Sequence, residues 1–234
     1  MKKYAVVLAA CAGVALSMSV GAGIASAAGG TISGTVKYDG TAPAPKPVEV
    51  TKDKEVCGLH PHFTEDLIVD SSGGIANAVV VVKGAKGDMK PGDVTFDQKG
   101  CDYVPHVLAF PAGSTVKIVN DDGILHNIHT YSEKNPSFNM AQPKFKKVIE
   151  EKIDQPEVIK VTCDAHAWMH GWWVATDTPY FAVTDDKGNF SIAGVPPGDY
   201  TLEVWQEKLG VDTQKVNVKD GAATTANFSL KPKG

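Results

Sequence analysis

From Thr31 onward the apolar residues come in short runs, alternating or β-branched, each closed by a turn. Ile32-Ser33-Gly34-Thr35-Val36 precedes Asp39-Gly40, Ala78-Val79-Val80-Val81-Val82 follows Gly73-Gly74, and Thr115-Val116-Lys117-Ile118-Val119 precedes Asn120-Asp121-Asp122-Gly123. Runs of this length and composition are strands. Tyr180 to Thr184, Asn189 to Ile192 and Val195 to Val204 repeat the strand-and-turn pattern, with two more strands expected near Lys215 to Val218 and Thr225 to Leu230. The 23 Gly and 14 Pro spread among the 234 residues exclude a helical bundle. The expected fold is therefore all-β. Ala42 to Pro47 and Lys83 to Gly92 read as linker and loop. Asn135 to Pro156 shows no clean period, and a short helix over Lys144 to Glu151 or a surface excursion would both fit it.

Lys2 and Lys3, an uncharged apolar run from Ala5 to Ile24 and then Ala25-Ser26-Ala27 read as a secretory signal over residues 1–27. A transmembrane anchor is the alternative, which the Gly, Ser and Ala content of the run disfavours. Cleavage removes two lysines and no acid, taking the formal charge from −4 to −6. Without a concentrated Lys/Arg face, nucleic acid is excluded as partner. The expected location is periplasmic or secreted, with no membrane span after cleavage.

Three cysteines then remain, Cys57, Cys101 and Cys163, an odd number in a compartment that oxidises thiols. Cys163 is surrounded by metal-ligand types, so Cys57 and Cys101 are the expected disulfide; two free thiols are the alternative.

A copper ion that passes one electron needs a thiolate, two imidazoles and a weak axial thioether, so that both oxidation states share one geometry. Cys163, His166 and Met169 supply three of these within seven residues. The second imidazole must come from Leu125-His126-Asn127-Ile128-His129. Strand alternation puts His126 and His129 on opposite faces, so one of the two is a ligand. A zinc site would call for more Cys or His and no Met. A binuclear copper site lacks its second Cys. Catalytic use of Cys163 would leave Met169 unexplained. His60, His62, His106 and His170 read as surface or hydrogen-bonded histidines, although His60-Pro61-His62 could hold an adventitious metal.

Two resemblances extend this reading. Gly113-Ser114-Thr115-Val116, Asn120, His126-Asn127 and Cys163-x-x-His166-x-x-Met169-x-Gly171 before Trp172-Trp173-Val174 together resemble a cupredoxin, a type 1 blue copper domain with amicyanin-like loop spacing. The resemblance implies His126, Cys163 and His166 as equatorial ligands of one copper, with His129 as the alternative to His126. It further implies Met169 as the axial ligand, Asn127 as the residue steadying the ligand loop, and His166 as the surface exit for electrons. Thr184 to Tyr200, with Val195-Pro196-Pro197-Gly198, resembles the carboxypeptidase-regulatory-like, prealbumin-like β-sandwich family. The opening strands of that family match Gly34 to Gly40 and Ile75 to Val82, far upstream.

The expected architecture is thus a Greek-key cupredoxin sandwich plus a second small sandwich split around it. The divisions are 1–27 signal, 28–96 N-terminal β segment, 97–178 cupredoxin domain and 179–234 the remaining sandwich; three modules in a row would be the competing arrangement. The expected function is one-electron transfer to or from a redox protein, a dehydrogenase or a cytochrome, without enzymatic turnover. Copper delivery or storage is the first alternative, and a purely structural sandwich the second.

Overall fold

The computed structural model describes residues 29–232; the expected signal segment lies outside them. The described residues begin with β1 (Gly30–Tyr38), β2 (Pro47–Val48), the one-turn helix α1 (Lys54–Cys57), β3 (His62–Phe63) and β4 (Val79–Lys83). Its middle contributes β5 (Asp93–Lys99), β6 (Asp102–Val104), β7 (Val107–Pro111), β8 (Ser114–Asn120), β9 (His126–Tyr131), β10 (Asn139–Gln142), β11 (Val148–Ile153), β12 (Glu157–Thr162) and β13 (His170–Thr176). The last third supplies β14 (Phe181–Val183), β15 (Asn189–Val195), β16 (Gly198–Gln206), β17 (Gly210–Val218), β18 (Ala223–Thr225) and β19 (Phe228–Leu230).

One sandwich draws on both ends of the chain. Its first sheet runs β15-β1-β18, with β19 also paired to β1, and its second runs β14-β4-β16-β17. Ile32, Val36, Phe190 and Phe228 of the first sheet meet Val80, Val82, Leu202, Val204 and Val216 of the second in one core. The other sandwich is built wholly from the middle, with sheets β10-β9-β12-β13-β7 and β11-β8-β5-β6. Phe96, Val116, Ile118 and Ile149 face Phe110, Ile128, Ile159, Val161 and Trp173 across its interior. The fold is all-β, with one sandwich interrupted by the other. The 96/97 division expected from the sequence falls inside β5, which pairs in parallel with β8 and belongs wholly to the inner sandwich.

β4 explains how the two bodies meet. Val80 and Val82 enter the outer core, while Val79 and Val81 pack with Val107 of β7 and Val174 of β13. A strand covered on both faces is apolar throughout rather than alternating, which is why it reads as four consecutive valines.

Residues 135–156 form neither a helix nor a loose excursion. They contain β10, paired to β9, and β11, paired to β8 over its whole length. The neighbouring turn is held by Glu157, which accepts hydrogen bonds from the Ser132 hydroxyl, the Glu133 and Lys134 amides and the Asn135 side chain. Burial pushes the Glu157 carboxyl up, but these donors outweigh it and hold the pKa down at about 2. A depressed carboxylate contributes stability that is fully present above its unfolded pKa and is lost as pH falls through the folded value. Glu157→Gln is expected to cost roughly 1–2 kcal/mol at neutral pH, with the gap to the parent protein closing as pH falls toward about 2. Denaturant unfolding at a series of pH values measures this; a gap independent of pH would contradict it.

Candidate metal centre

Cys163, His166 and Met169 lie on the loop between β12 and β13, and His126 opens β9 on the neighbouring strand of the same sheet. The loop is a tight turn closed by backbone bonds from the Met169 amide to the His166 carbonyl at 2.9 Å and from the Cys163 amide to the Met169 carbonyl at 3.1 Å. That closure sets Cys163 and His166 beside His126.

There His126 Nδ1 and His166 Nδ1 are 3.0 Å apart, and Cys163 Sγ lies 3.8 Å from the first and 3.7 Å from the second. Both imidazoles are fully buried, as is Met169 in the surrounding core. His129 is not part of the group: it is partly exposed and bonds Asp164 and Tyr131. Asn127 ties the pieces together, with its side-chain oxygen accepting from the Ala165 amide, its Nδ2 donating to Asn139 and its own amide directed at Cys163 Sγ at 3.5 Å.

Two carboxylates absent from the sequence reading complete the arrangement. Asp122 Oδ2 lies 2.9 Å from His126 Nε2, and Asp53 Oδ2 lies 2.8 Å from His166 Nε2. A carboxylate there can only accept, so each Nε2 carries a proton and each Nδ1 points inward. Asp122 also accepts from the Gly100 and Cys101 amides. Its spacing four residues before His126 in a Gly turn was the one local signal available. Nothing near Asp53 announces its partner 113 residues away.

Burial pulls the His126 imidazole down, but Asp122 and Cys163 outweigh it and push its pKa up to about 9. Burial likewise drives the Cys163 thiol up, and His126 and the Asn127 amide bring it below its ordinary value. His166 is lowered, by burial first and by the charge of His126, against the pull of Asp53. The two Nδ1 atoms thus face each other beside a sulfur whose thiol is held below its ordinary value. A planar ion with bonds of about 2.0–2.3 Å would hold its N and S ligands about 3.5–3.8 Å apart. The two S–N separations already have that length, and a cation among the three atoms requires only that the nitrogens part from 3.0 Å. The donor set fits a soft or borderline metal.

The structure corrects the expectation that His166 is a surface exit. Segment β2-α1-β3 lies over it: Asp53 caps the imidazole, Cys57 is disulfide-bonded to Cys101, and His62 bonds both the Cys57 carbonyl and Asp102. Trp168 Nε1 donates to the Cys101 carbonyl from the other side. Both His62 nitrogens are spent in this way, so His60-Pro61-His62 is not a convergent metal pair. Gly171 is required beneath the loop, because a Cβ there would meet the His106 carbonyl at 2.9 Å and the Phe96 ring at 3.0 Å.

Among known proteins, residues 161–226 match the family model for polysaccharide lyase family 4, domain II. The matched model is thus not that of the carboxypeptidase-regulatory-like family expected for the C-terminal strands, and its span crosses from β12 of the inner sandwich into the outer one. No curated protein matches the chain. Solved structures that overlap it include a purple cupredoxin from Nitrosopumilus maritimus, at 24% identity over 36% of this chain and 100% of that one, with a TM-score of 0.31. Amicyanin from Paracoccus versutus overlaps 42% of this chain and 97% of its own, at 18% identity and a TM-score of 0.32. The copper-containing nitrite reductase of Thermus scotoductus SA-01 overlaps 40% of this chain and 24% of its own, at 25% identity and a TM-score of 0.32.

Proposed function

We propose that this is an exported copper protein that carries single electrons for a redox protein partner, a dehydrogenase or a cytochrome, and turns over no substrate of its own. The observation that carries this reading is the convergence of two inward Nδ1 atoms and one Sγ, each imidazole held from behind by a carboxylate. His126, Cys163, His166 and Met169 would hold one copper, with Asn127 steadying the loop. Bound copper supplies the one-electron step. The chain's own part is to fix the donors before the ion arrives, which limits rearrangement between oxidation states.

The Cys57–Cys101 disulfide supports a periplasmic or secreted location, and no helix among the described residues is long and apolar enough to cross a membrane. The outer sandwich, with residues 179–234 and the opening strands, would serve as scaffold or as docking surface for the partner.

The burial of His166 favours a second reading, copper storage or delivery, since a covered imidazole retains its ion and offers no edge to a partner. Titration of Cu(II) into the mature protein is the test. An intense absorption near about 600 nm and narrow copper hyperfine coupling, both lost in Cys163→Ser, are expected for the electron carrier. Copper that binds without colour and passes readily to a competing chelator would sink electron transfer in favour of delivery.

A further inference from the structure

A second group of ligand-type side chains lies at the seam of the two sandwiches and plays no part in the centre above. His106 precedes β7, His170 opens β13, Glu207 stands in the β16–β17 turn and Glu65 follows β3. The side chains of His106 and Glu207 are 2% and 8% exposed. They come from segments remote in sequence, yet one nitrogen from each imidazole and one Glu207 oxygen all lie within 4.8 Å of one another.

The hydrogen bonding of this group is incomplete. His170 Nδ1 is 3.3 Å from the Trp168 carbonyl, which can only accept, so the ring proton belongs on Nδ1. His170 Nε2 faces Glu207 Oε2 at 3.5 Å, beyond the usual hydrogen-bond length. Trp172 Nε1 donates to the same oxygen at 2.7 Å and fixes the carboxylate in this orientation. His106 Nε2 meets Glu207 Oε1 directly, while its buried Nδ1 has no hydrogen-bond partner and stands 3.4 Å from Glu65 Oε2. The 3.5 Å between His170 Nε2 and Glu207 Oε2 is close to the donor spacing of about 3.4 Å that a tetrahedral ion with bonds of about 2.1 Å holds, and His106 Nε2 would have to draw back from Glu207 Oε1 to match it.

We propose that His106, His170 and Glu207 form a second metal site, which takes one divalent ion of borderline softness such as zinc. Two imidazoles and a carboxylate suit such an ion, and the absence of a thiolate disfavours Cu(I). Glu65 faces His106 Nδ1, on the far side of the ring from Glu207, and would accept its proton as the carboxylate behind a ligating imidazole. Binding sends the proton shared by His106 and Glu207 to solvent. The ion would rivet the outer sandwich to the inner one at the residue next to Met169, on the reverse side of the ligand loop. This inference is independent of what the first centre holds.

The test is calorimetric titration of zinc chloride into full-length mature protein carrying Cys163→Ser and His126→Ala, which disable the first centre. One equivalent is expected to bind. Adding Glu207→Gln or His170→Gln should weaken it at least tenfold, while adding His60→Ala should change nothing. His170 is partly exposed, so His170→Gln remains informative even where Glu207→Gln disturbs folding. Zinc-edge anomalous scattering from crystals grown with zinc locates the ion directly, and a peak among the three side chains would support the site. Absence of zinc binding in the double variant, affinity indifferent to both Gln substitutions, or a peak elsewhere would overturn it and leave the group as a charged His106 held between two glutamates.

Discussion

Cys57→Ala combined with Cys101→Ala is expected to lower the stability of the protein by about 4 kcal/mol, because the bond closes a loop of 44 residues in the unfolded chain. For a chain of this size that corresponds to a fall of roughly 8–16 °C in the unfolding midpoint. The effect should be uneven. The strands of both sandwiches keep their pairing, whereas α1 is left with the His62 and Asp53 hydrogen bonds and the packing of Val50 and Val56 against the inner core. Amide exchange over residues 53–58 should therefore rise by orders of magnitude more than exchange in β8 or β13, and ions should leave the candidate centre faster. Thermal unfolding with residue-resolved hydrogen exchange measures both. A loss below about 1 kcal/mol would mean that the other ties hold the segment without the covalent one.

Asp122→Ala should have the second large effect. The carboxylate satisfies His126 Nε2 and two backbone amides at once, so its removal frees the imidazole to rotate and strips Gly100 and Cys101 of their acceptor. Loss of such an outer partner weakens metal binding by about 10- to 100-fold, and each orphaned amide costs about 1–3 kcal/mol if it stays dry. Asp122→Asn is the informative companion, since its oxygen can still accept while its charge is gone. Copper affinity by competition, alongside denaturant unfolding, separates the two contributions. Equal affinity in all three proteins would remove Asp122 from any role at the centre.

The strands that could be read in advance are those whose runs are β-branched and bounded by turns. Val79 to Val82 fall in β4, Thr115 to Val119 in β8, and Asn189 to Ile192 in β15. β11 escaped because its apolar residues Ile149 and Ile153 are four apart, a spacing that suits one face of a helix as well as one face of a strand, and Glu150, Glu151 and Lys152 between them do not discriminate. What decides the matter is pairing with β8, a contact between distant segments. The same contrast runs through the candidate centre. The Cys163, His166 and Met169 spacing is local and visible at once, whereas Asp53 reaches His166 from a segment without periodicity, so neither the carboxylate nor the burial it brings could be anticipated. The division between the sandwiches was misplaced for a related reason, since β5 begins before the first residues that carry the cupredoxin resemblance.

The strand pairing of β1 carries a consequence for the order in which the molecule can assemble. All three of its partner strands, β15, β18 and β19, lie beyond residue 188, so a growing chain presents β1 first and these neighbours last. The intervening sandwich draws every strand from residues 93–176 and can close while the final third is still being made. During that interval Ile32 and Val36 have Val80 and Val82 of β4 to pack on but lack Leu202, Val204 and the rest of the final third, and the edge groups of β1 that β15, β18 and β19 would pair stand open to other chains. Productive maturation would then depend on how quickly synthesis runs from Thr176 to Leu230, and a stalled or truncated product would present a finished inner sandwich trailing an unpaired, aggregation-prone strand.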